Sequence, residues 1–351
     1  MSWLEPSFAA EGERIMTICN ACRYCEGYCA VFPAMEKRTE FGPADLGYLA
    51  NLCHNCGACL PACQYAPPHE FGVNVPQTLS QIRIASYQLP RRKTVLMLGI
   101  ASAGLLLLVL LANTAWTTLF ARHAGGAFYD VISHDEMVRL FLFAGAWALI
   151  GMGLVFATRY GAIRGVARAD YGAIRRGWSD ALRLVNLGGG GEGCIEEHER
   201  PAQVRRIYHH LVFYGFLSCF LATIIAAFYD NVLGWRAPYP FASLPVIFGT
   251  LGGIALLVGC AGLFSLLRER DAALSDKGER ARSMMLLAFL FATAATGLLL
   301  LVFRGTAAMG ILLILHLAIV FGLFVTLPYG KFMHGFFRLA ALVRFATEQG
   351  D

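Results

Sequence analysis

Eight cysteines near the N-terminus repeat one spacing twice. Two, two and three residues separate the cysteines of each run, which are Cys19, Cys22, Cys25 and Cys29, then Cys53, Cys56, Cys59 and Cys63. Bacterial two-cluster ferredoxins use this spacing, and the fourth cysteine of each run binds the cluster of the other run. The spacing therefore predicts two [4Fe–4S] clusters. Cluster 1 would be held by Cys19, Cys22, Cys25 and Cys63, and cluster 2 by Cys53, Cys56, Cys59 and Cys29.

Zinc is the competing interpretation of these cysteines. Zinc knuckles use four ligands and rarely this triple spacing, so iron–sulfur clusters are favoured. One detail departs from the ferredoxin pattern, because Ala30 and Gln64 replace the proline that usually follows the fourth cysteine. His54 lies inside the second run, where we expect it to tune the cluster through a hydrogen bond rather than to bind iron.

Four histidines lie in or beside apolar segments, where ionisable residues usually mark functional sites. His209 and His210 open one segment, His316 lies inside another, and His334 follows it. On a continuous helix, the 18 residues from His316 to His334 make five turns and about 27 Å, so one haem cannot bridge them. We predict one haem b between His210 and His334, with His209 and His316 as possible further ligands.

A second haem would need an unusual ligand for His316. The matching depth on the helix of His210 is near Cys219 or Phe220, and neither residue type is a usual haem b ligand. The alternative for all four histidines is structural, as residues at the membrane interface or in helix contacts.

Composition indicates that most of the chain lies in a membrane. Of 351 residues, 57% are hydrophobic and 15% are charged, against about 25% charged in soluble proteins. Six segments reach the roughly 20 apolar residues of a membrane span: Thr94–Phe120, Val138–Thr158, Ile207–Phe228, Leu244–Leu267, Met284–Phe303 and Ala308–Leu327. We predict a mainly α fold, with a ferredoxin-like helical domain in residues 1–90 and a six-helix haem-binding bundle in 91–351.

Basic residues orient the predicted bundle. Lys and Arg concentrate at 91–93, in the loop 159–206, at 268–282 and in the tail, whereas the opposite flanks hold few. By the positive-inside rule, the loop and both termini are cytoplasmic, in a bacterial inner membrane. The first residues lack the basic and apolar regions of a signal peptide. Thiols stay reduced in the cytoplasm, which favours metal binding over disulfides. The net charge of +5 suits anionic lipid headgroups and needs no nucleic acid.

The glycine-rich run Gly188–Gly193 follows no apolar strand, so it is not a dinucleotide-binding turn. We interpret it as a cytoplasmic loop and a possible docking element. Cys194 comes directly after it and is a candidate redox thiol. Cys219 and Cys260 lie inside predicted spans and are interpreted as small buried apolar residues.

The end of the last span resembles the respiratory nitrate reductase gamma subunit, through His316, Pro328, Lys331 and His334. His210, followed by a glycine five residues later, is similar to that family's other ligand helix. The family's second histidine on that helix is replaced here by Phe220, and this departs from a two-haem arrangement.

The whole chain is similar to the tricarballylate utilization protein B family, also called citrate utilization protein B. The likeness is carried by CNACRYCEGYCAVFPAM, LCHNCGACLPACQYAPPHEFGVNVP, Gly188–Gly193 and HHLVFYGFLSCFLATIIAAFYD. It implies a protein that reoxidises the flavin of an FAD-dependent partner, tricarballylate dehydrogenase. Electrons would pass through both clusters and haem b to quinone, which makes the chain the quinone-reducing part of an oxidoreductase system.

Two alternatives stay open at this point. The chain could serve another electron donor, or it could be a membrane redox sensor or an accessory to citrate transport. A sensor needs an output domain, and no soluble segment besides the cysteine-rich one is long enough. A transporter needs charges at the membrane midplane or repeated broken helices, and the six segments show few charges and no clear inverted repeat.

Overall fold

The computed structural model of the chain describes residues 3–160, 169–188 and 202–350, which are mostly helical and contain no strand. The predicted mainly α fold is therefore confirmed. In chain order, the α-helices of these residues are α1 (Pro6–Cys22), α2 (Val31–Glu36), α3 (Pro43–Leu52), α4 (Val75–Tyr87), α5 (Arg92–Asn113), α6 (Trp116–Leu119), α7 (His134–Arg159), α8 (Tyr171–Arg183), α9 (Ala202–Asn231), α10 (Leu244–Glu269), α11 (Lys277–Phe303), α12 (Met309–Thr326) and α13 (His334–Glu348).

Six helices, α5, α7, α9, α10, α11 and α12, are long and apolar enough to cross a membrane. This agrees with the six predicted spans and fits a multi-pass membrane protein. The first span is shorter than predicted, because extended backbone at Thr114 ends α5 and the short α6 follows. The α12 segment is the most enclosed, with 50% of its apolar window buried against 11–28% for the others. It therefore forms the centre of the bundle.

Helices α9 and α10 pack backbone against backbone through small residues. A Cβ atom on Gly252 would lie 2.8 Å from the carbonyl oxygen of Gly215, and one on Gly259 would lie 2.8 Å from that of Tyr208. Membrane helices associate closely where glycine lets their backbones approach. Gly215, five residues after His210, thus serves helix packing, and its contact with α10 determines how α9 is rotated about its axis.

The chain does not form one continuous helix from His316 to His334, so that expectation was wrong. α12 ends at Thr326, and two short 3-10 turns follow, at Leu327–Tyr329 and Lys331–Met333. Pro328 has no N–H for helical hydrogen bonding, and Gly330 between the turns is extended, at φ −103° and ψ −175°. A separate helix then begins at His334.

The cysteine-rich part and the C-terminal helix share one hydrophobic core. Ile15 of α1, Leu49 of α3 and Ile82 of α4 are fully buried, and Ala341 and Leu342 of α13 belong to the same cluster. α13 therefore leaves the end of the bundle and packs against the N-terminal part of the chain. This places His334, its first residue, between the two parts.

A buried ionic network also connects the two parts. Arg83 of α4 donates to both carboxylate oxygens of Glu279 in α11, at 2.9 and 2.8 Å. Ser80 donates to Glu279 at 2.6 Å, and the ammonium of Lys331 pairs with it as well. The side chains of Arg83 and Glu279 are only 1% and 6% exposed. Removing either member of such a buried ion pair is expected to destabilise the fold strongly, because the remaining charge stays desolvated.

Candidate iron–sulfur and haem sites

The cysteines of both runs lie where helices end in tight turns. Cys19 and Cys22 occupy the last turn of α1, and Arg23 reverses the chain with a left-handed φ of 56°. Cys53 ends α3, and Asn55 and Gly57 follow with φ of 51° and 94°. These left-handed positions let a short loop curl back on itself, as wrapping a cluster requires.

Cys63 lies with the first run. Burial raises the pKa of the Cys19 thiol to about 12, and repulsion from Cys63, Cys25 and Cys22 adds to this shift. The strongest of the three cysteine neighbours is thus the one most distant in sequence. The structure brings together the four residues that were predicted for cluster 1.

Cys29 lies with the second run. Burial raises the pKa of the Cys29 thiol, and repulsion from Cys56 and Cys53 raises it further. Burial also raises the pKa of the Cys59 thiol, and repulsion from Cys53, Cys56 and Cys29 adds to this shift. Four thiols crowded in a buried site suit a metal, since coordination removes their protons and offsets their charge. The exchange of fourth cysteines is present in the fold, while iron ligation itself stays a prediction.

Among the described residues, no three His, Cys, Asp or Glu side chains form a site for a single metal ion. A four-iron cluster is larger than one ion and keeps its thiolates further apart. Two sulfur atoms also receive hydrogen bonds of the kind that tune clusters. The backbone N–H of Asn55 donates to Cys53 Sγ at 3.4 Å, and the side-chain Nε2 of Gln64 donates to Cys22 Sγ at 3.6 Å.

One ring nitrogen of His54 has a backbone partner. The buried ring donates from Nδ1 to the Leu52 carbonyl oxygen, at 2.8 Å. The burial of His54, together with the positive charges of nearby arginines, holds the pKa of its ring well below the ordinary value. A neutral His54 thus supports the chain beside Cys53, and its hydrogen bond to a cluster stays a prediction.

Four arginines bind the backbone around Cys53, three from α4, α9 and α13 and one just after α10, and we call them the arginine collar: Arg83, Arg205, Arg270 and Arg338. Their guanidinium groups donate to carbonyl oxygens between Ala50 and Asn55. This role was not predicted from the sequence. A signal was present, since one collar arginine precedes His209 by four residues and another follows His334 by four, one helical turn in each case.

His209, not His210, lies opposite His334. The ring centroids of His209 and His334 are 6.3 Å apart, whereas the ring of His210 contacts that of Tyr214, at 5.7 Å. One iron between two imidazoles needs about 6 Å between centroids, from two metal–nitrogen bonds of about 2 Å and the ring radii. The predicted pairing of His210 with His334 is thus not the arrangement in the structure, and the better candidate pair is His209 with His334.

The ring nitrogens of this pair also fit metal ligation. His334 Nδ1 lies in hydrogen-bond contact with the Lys331 carbonyl oxygen. A carbonyl only accepts, so Nδ1 carries the proton and Nε2 keeps its lone pair. Metal-binding histidines are commonly oriented in this way. On His209, Nδ1 is buried with no hydrogen-bond partner among the described residues.

His316 lies inside the bundle, against α11. Its Nδ1 is 3.0 Å from Thr296 Oγ1, and a Cβ on Gly297 would lie 3.0 Å from its ring. The Thr296 hydroxyl is 2.7 Å from the Ala292 carbonyl, to which it donates, so it accepts from His316. His316 thus has a structural partner, and a second haem there stays an untested expectation.

The remaining candidates divide between described and undescribed residues. Cys260 is buried and Cys219 partly buried, both inside spans. Cys219 packs closely on α10, where its Sγ would lie 2.9 Å from a Cβ on Gly252. Gly189–Gly193 and Cys194 lie outside the described residues, so the proposed docking loop and the redox thiol stay predictions.

The six apolar helices fit a multi-pass membrane protein, and the two cysteine runs are typical of an iron–sulfur domain. The family model "Citrate utilization protein B Fer4-like domain" matches residues 12–89, and the model "Citrate utilization protein B" matches residues 88–351. The chain therefore belongs to the citrate utilization protein B family. Citrate utilization protein B of Escherichia coli is 44% identical to it, over 97% of this chain and 92% of that protein. No solved structure matches the chain. The family and its domain point to iron–sulfur electron transfer in citrate utilization.

Proposed function

We propose that this chain carries electrons from the reduced flavin of a cytosolic FAD-dependent dehydrogenase, through two [4Fe–4S] clusters and one haem b, to membrane quinone. The family resemblance makes tricarballylate dehydrogenase the expected partner. The clusters and haem supply the one-electron chemistry that amino-acid side chains lack. The chain's own residues would bind these groups, space them and exclude water.

One observation carries the proposal, namely that two arginines connect the Cys53 loop, residues 53–57, with the two facing histidines. Arg205 donates to the carbonyl oxygen of Asn55 at 2.7 Å, and Arg338 donates to that of Cys53 at 2.8 Å. Each arginine is one helical turn, about 6 Å, from His209 or His334 on its own helix. Cluster 2 and a haem on this histidine pair would therefore be held by the same two helices.

The surroundings of the two cysteine runs differ, which suggests the direction of transfer. Cys53 of the second run is 8% exposed and its carbonyl oxygen accepts from Arg338 of α13, whereas Tyr24, next to Cys25 of the first run, is 66% exposed. An exposed aromatic beside a cluster ligand suits contact with a partner protein. We propose that the dehydrogenase docks at the first run and that electrons leave through the second.

The proposal is tested on full-length protein purified anaerobically in detergent. We expect about eight labile sulfides and one low-spin haem b per chain. Reduced tricarballylate dehydrogenase should reduce both clusters and the haem, as followed by their spectra. A soluble quinone analogue should then reoxidise all three groups. A protein that holds zinc in place of iron, or iron–sulfur protein that its dehydrogenase cannot reduce, would overturn the proposal.

A further inference from the structure

We infer that Arg205 and Arg338 are positioning residues that raise the reduction potential of cluster 2 above that of cluster 1. The inference rests on the proposed function, because it concerns the order in which the two clusters accept electrons. It assigns a role to residues outside the cysteine and histidine motifs.

The guanidinium groups of both arginines are directed at the loop that carries cluster 2. Arg205 donates through Nη1 to the backbone carbonyl oxygen of Asn55, at 2.7 Å, and through Nη2 to that of His54, at 3.2 Å. Arg338 donates through Nη2 to the Cys53 carbonyl oxygen, at 2.8 Å. Arginine suits this role because its planar group makes several directed bonds and keeps its charge.

Neither charge is neutralised by a carboxylate in the part of the chain that the structure describes. Arg205 and Arg338 form no ion pair there, in contrast to Arg83, which is paired with Glu279. A partly buried, unpaired cation is costly unless an anion lies nearby. A cluster held by four thiolates is such an anion, so these cations fit a loaded site.

Two further collar arginines add positive charge on the side of cluster 2. Arg270 donates to the Asn55 carbonyl oxygen, at 2.6 Å, and Arg83 donates to that of Ala50, at 2.8 Å. In the first run, Arg23 is exposed, where water and salt screen its charge. The buried or partly buried positive charge is thus concentrated on the side of cluster 2.

This asymmetry affects reduction because an added electron makes a cluster more negative. Nearby positive charge stabilises the reduced form and raises the potential, and surrounding net charge is one of the established controls of cluster potentials. With cluster 2 at the higher potential, an electron that enters at cluster 1 moves toward the histidine pair.

The test is a potentiometric titration of the full-length, cluster-loaded protein, followed by electron paramagnetic resonance. Cys56→Ser identifies the signal of cluster 2 beforehand. Arg205→Gln removes one charge, and Arg205→Lys keeps it. Arg206→Gln is the matched control, since the adjacent Arg206 donates to the Arg183 carbonyl oxygen, at 2.7 Å, and not to the Cys53 loop.

We expect Arg205→Gln to lower the reduction potential of cluster 2 by at least about 59 mV. For one electron, that shift corresponds to a tenfold change in the reduction equilibrium. Cluster 1 should not change, Arg205→Lys should shift less than half as far, and Arg206→Gln should shift neither cluster. If Arg205→Gln fails to assemble cluster 2, Arg338→Gln is held to the same criterion.

The inference is overturned if cluster 2 keeps its potential in the variant that assembles, or if Arg206→Gln shifts it equally. A wild type in which cluster 1 has the higher potential also overturns it. Wild-type protein without two clusters would instead remove the proposed function. The two failures are therefore distinguishable in one series of samples.

Discussion

The buried carboxylate of Glu279 gives the sharpest test of how the two parts of the molecule are joined. It accepts hydrogen bonds from Arg83 and Ser80 of α4, and it pairs with Lys331, three residues before His334. Glu279→Gln preserves the shape of the side chain and removes its charge. The buried Arg83 and the partly buried Lys331 then lose their only carboxylate partner among the described residues.

The magnitude follows from burial. Breaking one member of a buried pair costs about 3–5 kcal/mol, because the remaining charge stays desolvated. At roughly 2–4 °C per kcal/mol for chains somewhat smaller than this one, the midpoint of thermal unfolding should fall by about 10 °C. Lys331→Met should cost less, since Arg83 still neutralises Glu279.

The assay is thermal unfolding of loaded protein in detergent, together with limited proteolysis between α4 and α5. Glu11→Gln is the control, because Glu11 and Arg14 form a pair with side chains 42% and 43% exposed, worth at most about 1 kcal/mol. A Glu279→Gln protein that unfolds within about 1 °C of wild type, with normal helix content, would refute the reasoning.

Three further predictions concern the haem, the helix packing and the clusters. His209→Ala should abolish the low-spin haem b spectrum and His210→Ala should preserve it, and the reverse result would restore the original pairing. Gly252→Ala should cost about 1–3 kcal/mol in thermal unfolding, because its Cβ would lie 2.8 Å from the α9 backbone. Gly104→Ala, with nothing within 4 Å of its Cβ, should have little effect. Cys29→Ser should alter the paramagnetic signal of cluster 2 and leave that of cluster 1 unchanged; an altered cluster 1 would exclude the exchanged ligand.

Much of the fold followed from local patterns. Six apolar segments are a property of the chain itself, and the structure confirms six helices that could span a membrane. The end of the last span was less predictable. His316 and His334 share one face only if the helix continues, and the turns around Pro328 and Gly330 redirect the chain before His334.

The choice between His209 and His210 shows what local patterns cannot determine. Adjacent residues on a helix point about 100° apart, so the rotation of α9 decides which ring meets His334. That rotation depends on the contact of Gly215 with Gly252, whose backbones lie too close for a side chain. With Gly215 facing α10, the two histidines fall on opposite sides of that contact.

By itself, the sequence determined the two cysteine runs, the proximity of each fourth cysteine to the other run and the number of apolar helices. Each of these depends on residue type and spacing within a short stretch. Only the tertiary structure decided that His209 faces His334, that α13 packs on the cysteine-rich part and that the arginine collar surrounds the Cys53 loop. Apart from the bonds of Arg83, those contacts join residues more than 100 positions apart, and their geometry arises when whole helices pack against one another.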